Sequence, residues 1–81
     1  MDPNATLRDL LEALKGRDWD LVQELSEALL TWMRNGGFPP NTIGPMELGN
    51  EWHRAVATFV CHAALGKVRA AHERRSRKRG G

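Results

Sequence analysis

A single cysteine, Cys61, stands in the 81 residues, so no disulfide can form within the chain. One thiol also gives no sign of an oxidising compartment. No apolar run approaches the roughly 18–20 residues that a membrane span requires. The opening Met1-Asp2-Pro3-Asn4 is acidic and polar where a secretory leader would be basic, so no signal peptide is expected and the sequence reads as a soluble cytoplasmic protein. No glycine loop suited to cradling phosphate is present, because Gly36-Gly37 runs straight into Phe38-Pro39-Pro40. A domain this small, with neither disulfide nor evident metal, has a core of only about 3–5 kcal/mol net. Self-association is therefore the expected extra source of stability.

Amphipathic periodicity is plentiful. Leu7, Leu10, Leu11 and Leu14 form an i, i+3, i+4, i+7 stripe. Thr6 followed by Asp9 resembles a capping box, which predicts a first helix over about 6–15. Gly16 is the predicted stop, as glycine enters the left-handed region without a Cβ clash. Asp18 suits an N-cap and Asp20 the positive end of the following helix dipole. Leu21, Val22, Leu25, Ala28, Leu29, Trp32 and Met33 then make a wide apolar face, and Asn35-Gly36-Gly37 closes a second helix over about 19–34. A linker of only Gly16 to Asp18 makes these two an antiparallel hairpin. The Gly16-x-x-Trp19 junction resembles the turn of a tetratricopeptide-type hairpin, but no second copy follows, and stacked repeats need about three units.

The prolines of Phe38–Pro45 exclude a helix interior and leave a crossover, with Phe38 and Ile43 expected to tuck back onto the helices. A third helix is predicted over about 46–75, starting at Pro45 as first helical residue or capped by Asn50. Its expected core face is Leu48, Trp52, Ala55, Val56, Phe59, Val60 and Ala63. Beyond it lie small residues, Ala63, Ala64, Gly66, Ala70 and Ala71, although Gly66 costs roughly 1 kcal/mol relative to alanine. Short helix one leaves this far half little to pack on. The predicted fold is all-α, a helical hairpin plus a longer third helix (a three-helix bundle) over residues 1–75. It is expected to form an isologous homodimer through helix three at Ala63, Gly66 and Ala70.

Charge is unevenly placed. From Lys67 onward stand Lys67, Arg69, Arg74, Arg75, Arg77, Lys78 and Arg79 against Glu73 alone, a net +6. Since the whole chain carries +2, the remainder carries −4. With residues 76–81 expected to form a free basic tail, the seven cations are the candidate contacts to a nucleic-acid backbone or an acidic protein. No aromatic is interleaved with them in sequence, so contact to phosphates is expected rather than stacking on bases. A helix-turn-helix reading fails, because helix two presents Asp20, Gln23, Glu24, Ser26 and Glu27 and no cation before Arg34.

His53, Cys61, His62 and His72 match no zinc-ligand spacing, so no metal or cofactor is implied. Cys61 beside Val60 reads as a buried thiol, the histidines as surface residues, and the carboxylates as a solvated face. No base and orienting acid accompany a nucleophile, so the reading is not an enzyme and carries no small-molecule substrate. The expected function is that of a small helical interaction or adaptor protein whose basic tail touches nucleic acid. The alternative is a protein–protein module acting through its bundle surface and the 38–45 loop, with Trp19, Phe38, Pro39, Pro40 and Ile43 as anchors.

Overall fold

The computed structural model describes residues 1–42 and 49–80, with side chains through Arg74. Three helices, α1 (Pro3–Lys15), α2 (Trp19–Arg34) and α3 (Asn50–Gly80), account for the regular structure. The described residues include no strand. Packing is compact and centres on α2, which lies against both other helices.

Helix α1 begins three residues earlier than the sequence predicts. Asp2 is its N-cap, its carboxylate accepting from the amides of Asn4 (3.1 Å) and Ala5 (3.3 Å). Pro3 follows at a position where a missing N–H costs nothing. Thr6 is thus inside the helix, its hydroxyl donating back to the Asp2 carbonyl at 3.0 Å. The α1–α2 turn also differs in detail. Gly16 keeps a right-handed φ of −82°, and the left-handed residue is Arg17 at φ 56°. Two backbone bonds explain the shift: Asp18 N–H donates to Ala13 C=O (3.0 Å) and Arg17 N–H to Leu14 C=O (3.2 Å). This is the Schellman pairing, whose left-handed position falls one residue beyond Gly16. Asp18 caps α2 as expected, accepting from Leu21 N–H at 3.4 Å. The same pairing ends α2, with Gly37 N–H on Trp32 C=O and Gly36 N–H on Met33 C=O, and there a glycine, Gly36, holds the positive φ of 89°.

The crossover from α2 to α3 is tied down at four points. Trp32 Nε1–H donates to Phe38 C=O at 2.9 Å, with the two rings edge to face at 5.8 Å. Asn41 N–H donates to Asn4 Oδ1 of α1 at 2.8 Å. Thr42 N–H donates to His53 Nδ1 of α3 at 3.1 Å, which leaves the ring proton for Nε2. Arg54 reaches back from α3 to the end of α2, its guanidinium donating to Met33 C=O (2.6 Å) and Gly37 C=O (3.1 Å). The Met33 carbonyl in the last turn of α2, together with that of Gly37 in the turn that follows, is a good seat for that cation. Pro39 and Pro40 are buried, whereas Phe38 remains mostly exposed. The expected packing of Ile43 and the Pro45 start of helix three fall outside the described residues. Asn50, offered as a cap, is the first residue of α3, and Gly49 C=O accepts the first turn's bond from His53 N–H.

The core joins Leu7, Leu10 and Ala13 of α1, Val22, Leu29 and Met33 of α2, and a stripe of α3. That stripe is His53, Ala57, Cys61, Ala64, Val68 and Ala71, not the expected run through Trp52 and Phe59. Burying a full leucine or valine contributes about 1.5–3 kcal/mol, so α1 and α2 supply most of the apolar driving force. The stripe from α3 contributes small side chains that let the helices approach closely. Trp52 and Phe59 face outward, 47% and 73% exposed. His53, read as a surface residue, is buried and bonded to Thr42. α3 continues helical to Gly80, past the expected end at Arg75, and at about 1.5 Å per residue its 31 residues span roughly 46 Å against about 24 Å for α2. The longest dimension of the molecule, 49 Å, is essentially that helix.

Candidate functional site

The cations begin where α3 passes the α1–α2 turn. Lys67, Arg69 and Arg74 are all exposed. The ion pair formed among the described residues is Arg8–Asp9 of α1 at 3.5 Å, so none of the three makes a salt bridge with a described carboxylate. Arg75, Arg77, Lys78 and Arg79 lie on the same continuous helix backbone, which extends the charged stretch as a rod rather than a loose tail. Positions 67, 74 and 78 follow an i, i+7, i+11 spacing that keeps them along one side of α3.

Two grooves flank this part of the helix and differ in charge. One, of about 540 Å³, lies between α3 and the α1–α2 turn. Leu14, Trp19, Phe59 and Val60 give it an apolar floor, and Arg17, Lys67 and Arg74 line it with positive charge and no carboxylate. Arg17, the left-handed residue of the α1–α2 turn, stands among these lining cations. The fold therefore brings two aromatic rings beside cations from which they are separated in sequence, an association the linear pattern did not reveal. The other groove, of about 620 Å³, is lined by Gln23, Glu27, Arg69, His72 and Glu73. Arg69 thus sits among carboxylates, and of the described cations Lys67 and Arg74 present the cleaner positive surface.

The other candidates are scattered. Trp19 is half-buried in the first groove, while Phe38 lies at the opposite end of α2. Pro39 and Pro40, being buried, offer no surface to a partner, and Ile43 lies outside the described residues. Ala63, Gly66 and Ala70 are exposed together on α3, separated from their buried neighbours Ala64 and Ala71. Cys61 is fully buried, and burial pushes its thiol up to about 11, which suppresses the nucleophilic thiolate. Among the described residues no three His, Cys, Asp or Glu side chains converge as metal ligands. No described helix is long and apolar enough to cross a membrane.

Sequence reasoning missed Arg54 and His53 as structural pins, because their partners are 11 to 21 residues away along the chain. It also missed the outward placement of Trp52 and Phe59. The one available signal was a second apolar stripe on α3, offset from the first. No family model, curated protein or solved structure matches this chain.

Proposed function

We propose that the protein is a small helical interaction module that contacts nucleic-acid backbone without sequence preference through the C-terminal half of α3. The observation that carries this reading is that Lys67 and Arg74 are exposed, without a carboxylate partner among the described residues, along a helix whose sequence adds four more cations before its end. Phosphate neutralisation by such a row is sequence-independent and salt-sensitive. The acidic remainder of the chain, at −4, keeps the rest of the surface off the polyanion and orients the contact. Self-association of the three-helix bundle through α3 belongs to the same reading.

Fluorescence anisotropy with a generic DNA duplex over a salt series tests it. Four to six phosphate contacts give a slope of log K against log salt of about −4 to −5. Removal of residues 74–81 leaves the buried stripe of α3 intact and abolishes that binding. Equal binding by full-length and shortened protein refutes the proposal.

A second reading, a protein-binding module, is favoured by the apolar floor of the groove at Trp19 and Phe59. An acidic amphipathic segment fits a groove with that floor and a cationic rim. On this reading a chain shortened by residues 75–81, which keeps Arg74 at the rim, retains its partner, and Trp19→Ala loses it.

A further inference from the structure

We propose that a second copy of this chain covers the outer face of α3, antiparallel and in one register, with the two-fold axis passing beside residue 61. Trp52, Val56, Phe59, Ala63, Gly66 and Ala70 follow one another at spacings of four, three, four, three and four residues. This is the 3.5-residue period of a coiled-coil seam. Val56 is half-buried and the other five are exposed. The seam is turned about 130° around the helix from the stripe that packs on α2. One face of α3 is used within the chain, and a second face of partner-helix geometry is left open.

Side-chain size sets the direction. The seam is bulky at its N-terminal half, with Trp52, Val56 and Phe59, and minimal at its C-terminal half, with Ala63, Gly66 and Ala70. An antiparallel partner centred beside residue 61 sets Trp52 over Ala70, Val56 over Gly66 and Phe59 over Ala63, each pair large against small. A parallel partner sets Trp52 on Trp52 and Phe59 on Phe59 and leaves a gap along the small half. Gly66 is a separate pointer to the same contact. It is exposed in mid-helix, a Cβ there would meet nothing within 4 Å in its own chain, and glycine weakens a helix relative to alanine. No packing within the chain requires that glycine, whereas a helix pressed across it does.

Charge agrees with the same register. Glu51 and Arg69, both exposed, lie on the same flank of the seam. In the antiparallel pair each Glu51 stands within about 3 Å, measured along the axis, of the other copy's Arg69, and symmetry makes the contact twice. A parallel pair would bring Lys67, Arg69 and Arg74 of both copies together. The antiparallel pair instead sends the two cationic halves to opposite ends, each Arg74 about 20 Å from the axis.

This inference rests on the self-association named in the proposed function and gives it a face and a direction; it does not depend on nucleic-acid binding, and the experiment separates the two. Light scattering of the full chain at tens of micromolar, without nucleic acid, should give twice the monomer mass. Gly66→Leu, which adds bulk opposite Val56 where its own chain has open space, should weaken association at least tenfold with helicity by circular dichroism unchanged. A nitroxide on His72→Cys should report an axial separation of about 33 Å between copies. Buried Cys61 remains unlabelled in that experiment. Removal of residues 74–81 should leave the dimer intact even as duplex binding is lost. A monomer at these concentrations, association unmoved by Gly66→Leu, or a label separation below about 20 Å overturns the inference. Loss of duplex binding alone bears only on the proposed function.

Discussion

Replacing Arg54 by methionine keeps the length of the aliphatic stem and deletes the guanidinium that bridges Met33 and Gly37. A hydrogen bond from a charged donor is worth about 1.5–3 kcal/mol where it is buried. Arg54 is half-buried, so solvent recovers part of each lost bond, and the pair together is worth about 2 kcal/mol. The Gly37 carbonyl then loses its Arg54 partner, the Met33 carbonyl keeps Gly36 N–H, and the Trp32–Phe38 corner loses one of its ties. In a domain of this size, about 2 kcal/mol lowers the thermal midpoint by about 8–16 °C. With a urea m value of about 1 kcal/mol/M it lowers the urea midpoint by about 2 M. Equilibrium unfolding followed by far-ultraviolet circular dichroism, at one fixed protein concentration so that any dimer linkage cancels, measures the difference. Arg54→Lys should fall between the two, since an ammonium on a shorter stem cannot span both carbonyls. A midpoint for Arg54→Met within about 0.5 kcal/mol of the parent would show that the bridge contributes nothing, and the argument that the crossover is held from α3 would be wrong.

Further outcomes follow from other positions. Arg17→Gly relieves a left-handed φ of 56° and should stabilise the fold by about 1 kcal/mol by urea denaturation, while removing one cation from the groove. Ser26→Ala removes a fully buried hydroxyl that has no hydrogen-bond partner among the described residues and should leave stability unchanged or raise it by up to about 1 kcal/mol; a loss of that size would place a bonded group on Ser26. The Cys61 thiol keeps its proton in the folded chain up to about pH 11 but releases it in the unfolded chain near pH 9.0. The folded state therefore holds the extra proton between those values, and stability should fall as pH climbs through that window. The same burial predicts that alkylation of Cys61 at pH 8 tracks unfolding, so that a rate equal to that of a free thiol would contradict it.

The first two helices were legible because their cues are local. Their leucine stripes have one period and, apart from Leu11 and Leu21, which the structure leaves exposed, one inward face, and Asp18 and the two glycine-containing turns sit within a few residues of what they terminate. The start of α1 was misplaced because Thr6 and Asp9 imitate a cap, while the true one, Asp2, is followed by a proline, a residue excluded from helix interiors that here begins the helix. The third helix misled for a different reason. It carries two apolar stripes, and periodicity alone does not say which one faces inward. Size argued for Trp52 and Phe59. Geometry chose the small stripe, because α2 comes close and Ala57, Cys61 and Ala64 fit where a tryptophan would not. The cations of the candidate site were legible as composition. Their neighbours Trp19, Phe59 and Arg17 were not, since only the turn between α1 and α2 brings them alongside.

The smallness of the α3 inner stripe has a mechanical consequence. Large side chains lock a helix lengthwise by seating in the hollows of its neighbour, and alanines do this poorly. Between Ala57 and Ala71 the buried side chains of α3 are mostly small, with Val68 and half-buried Val60 the larger ones against the core, so the resistance to a slide of α3 is modest. The axial position is set instead at one end, where Arg54 grips Met33 and Gly37 and His53 holds Thr42. Those polar contacts work as a latch: with both released, a shift of two helical turns, seven residues or about 10.5 Å, carries Ala57 to the place of Ala64 and Ala64 to that of Ala71.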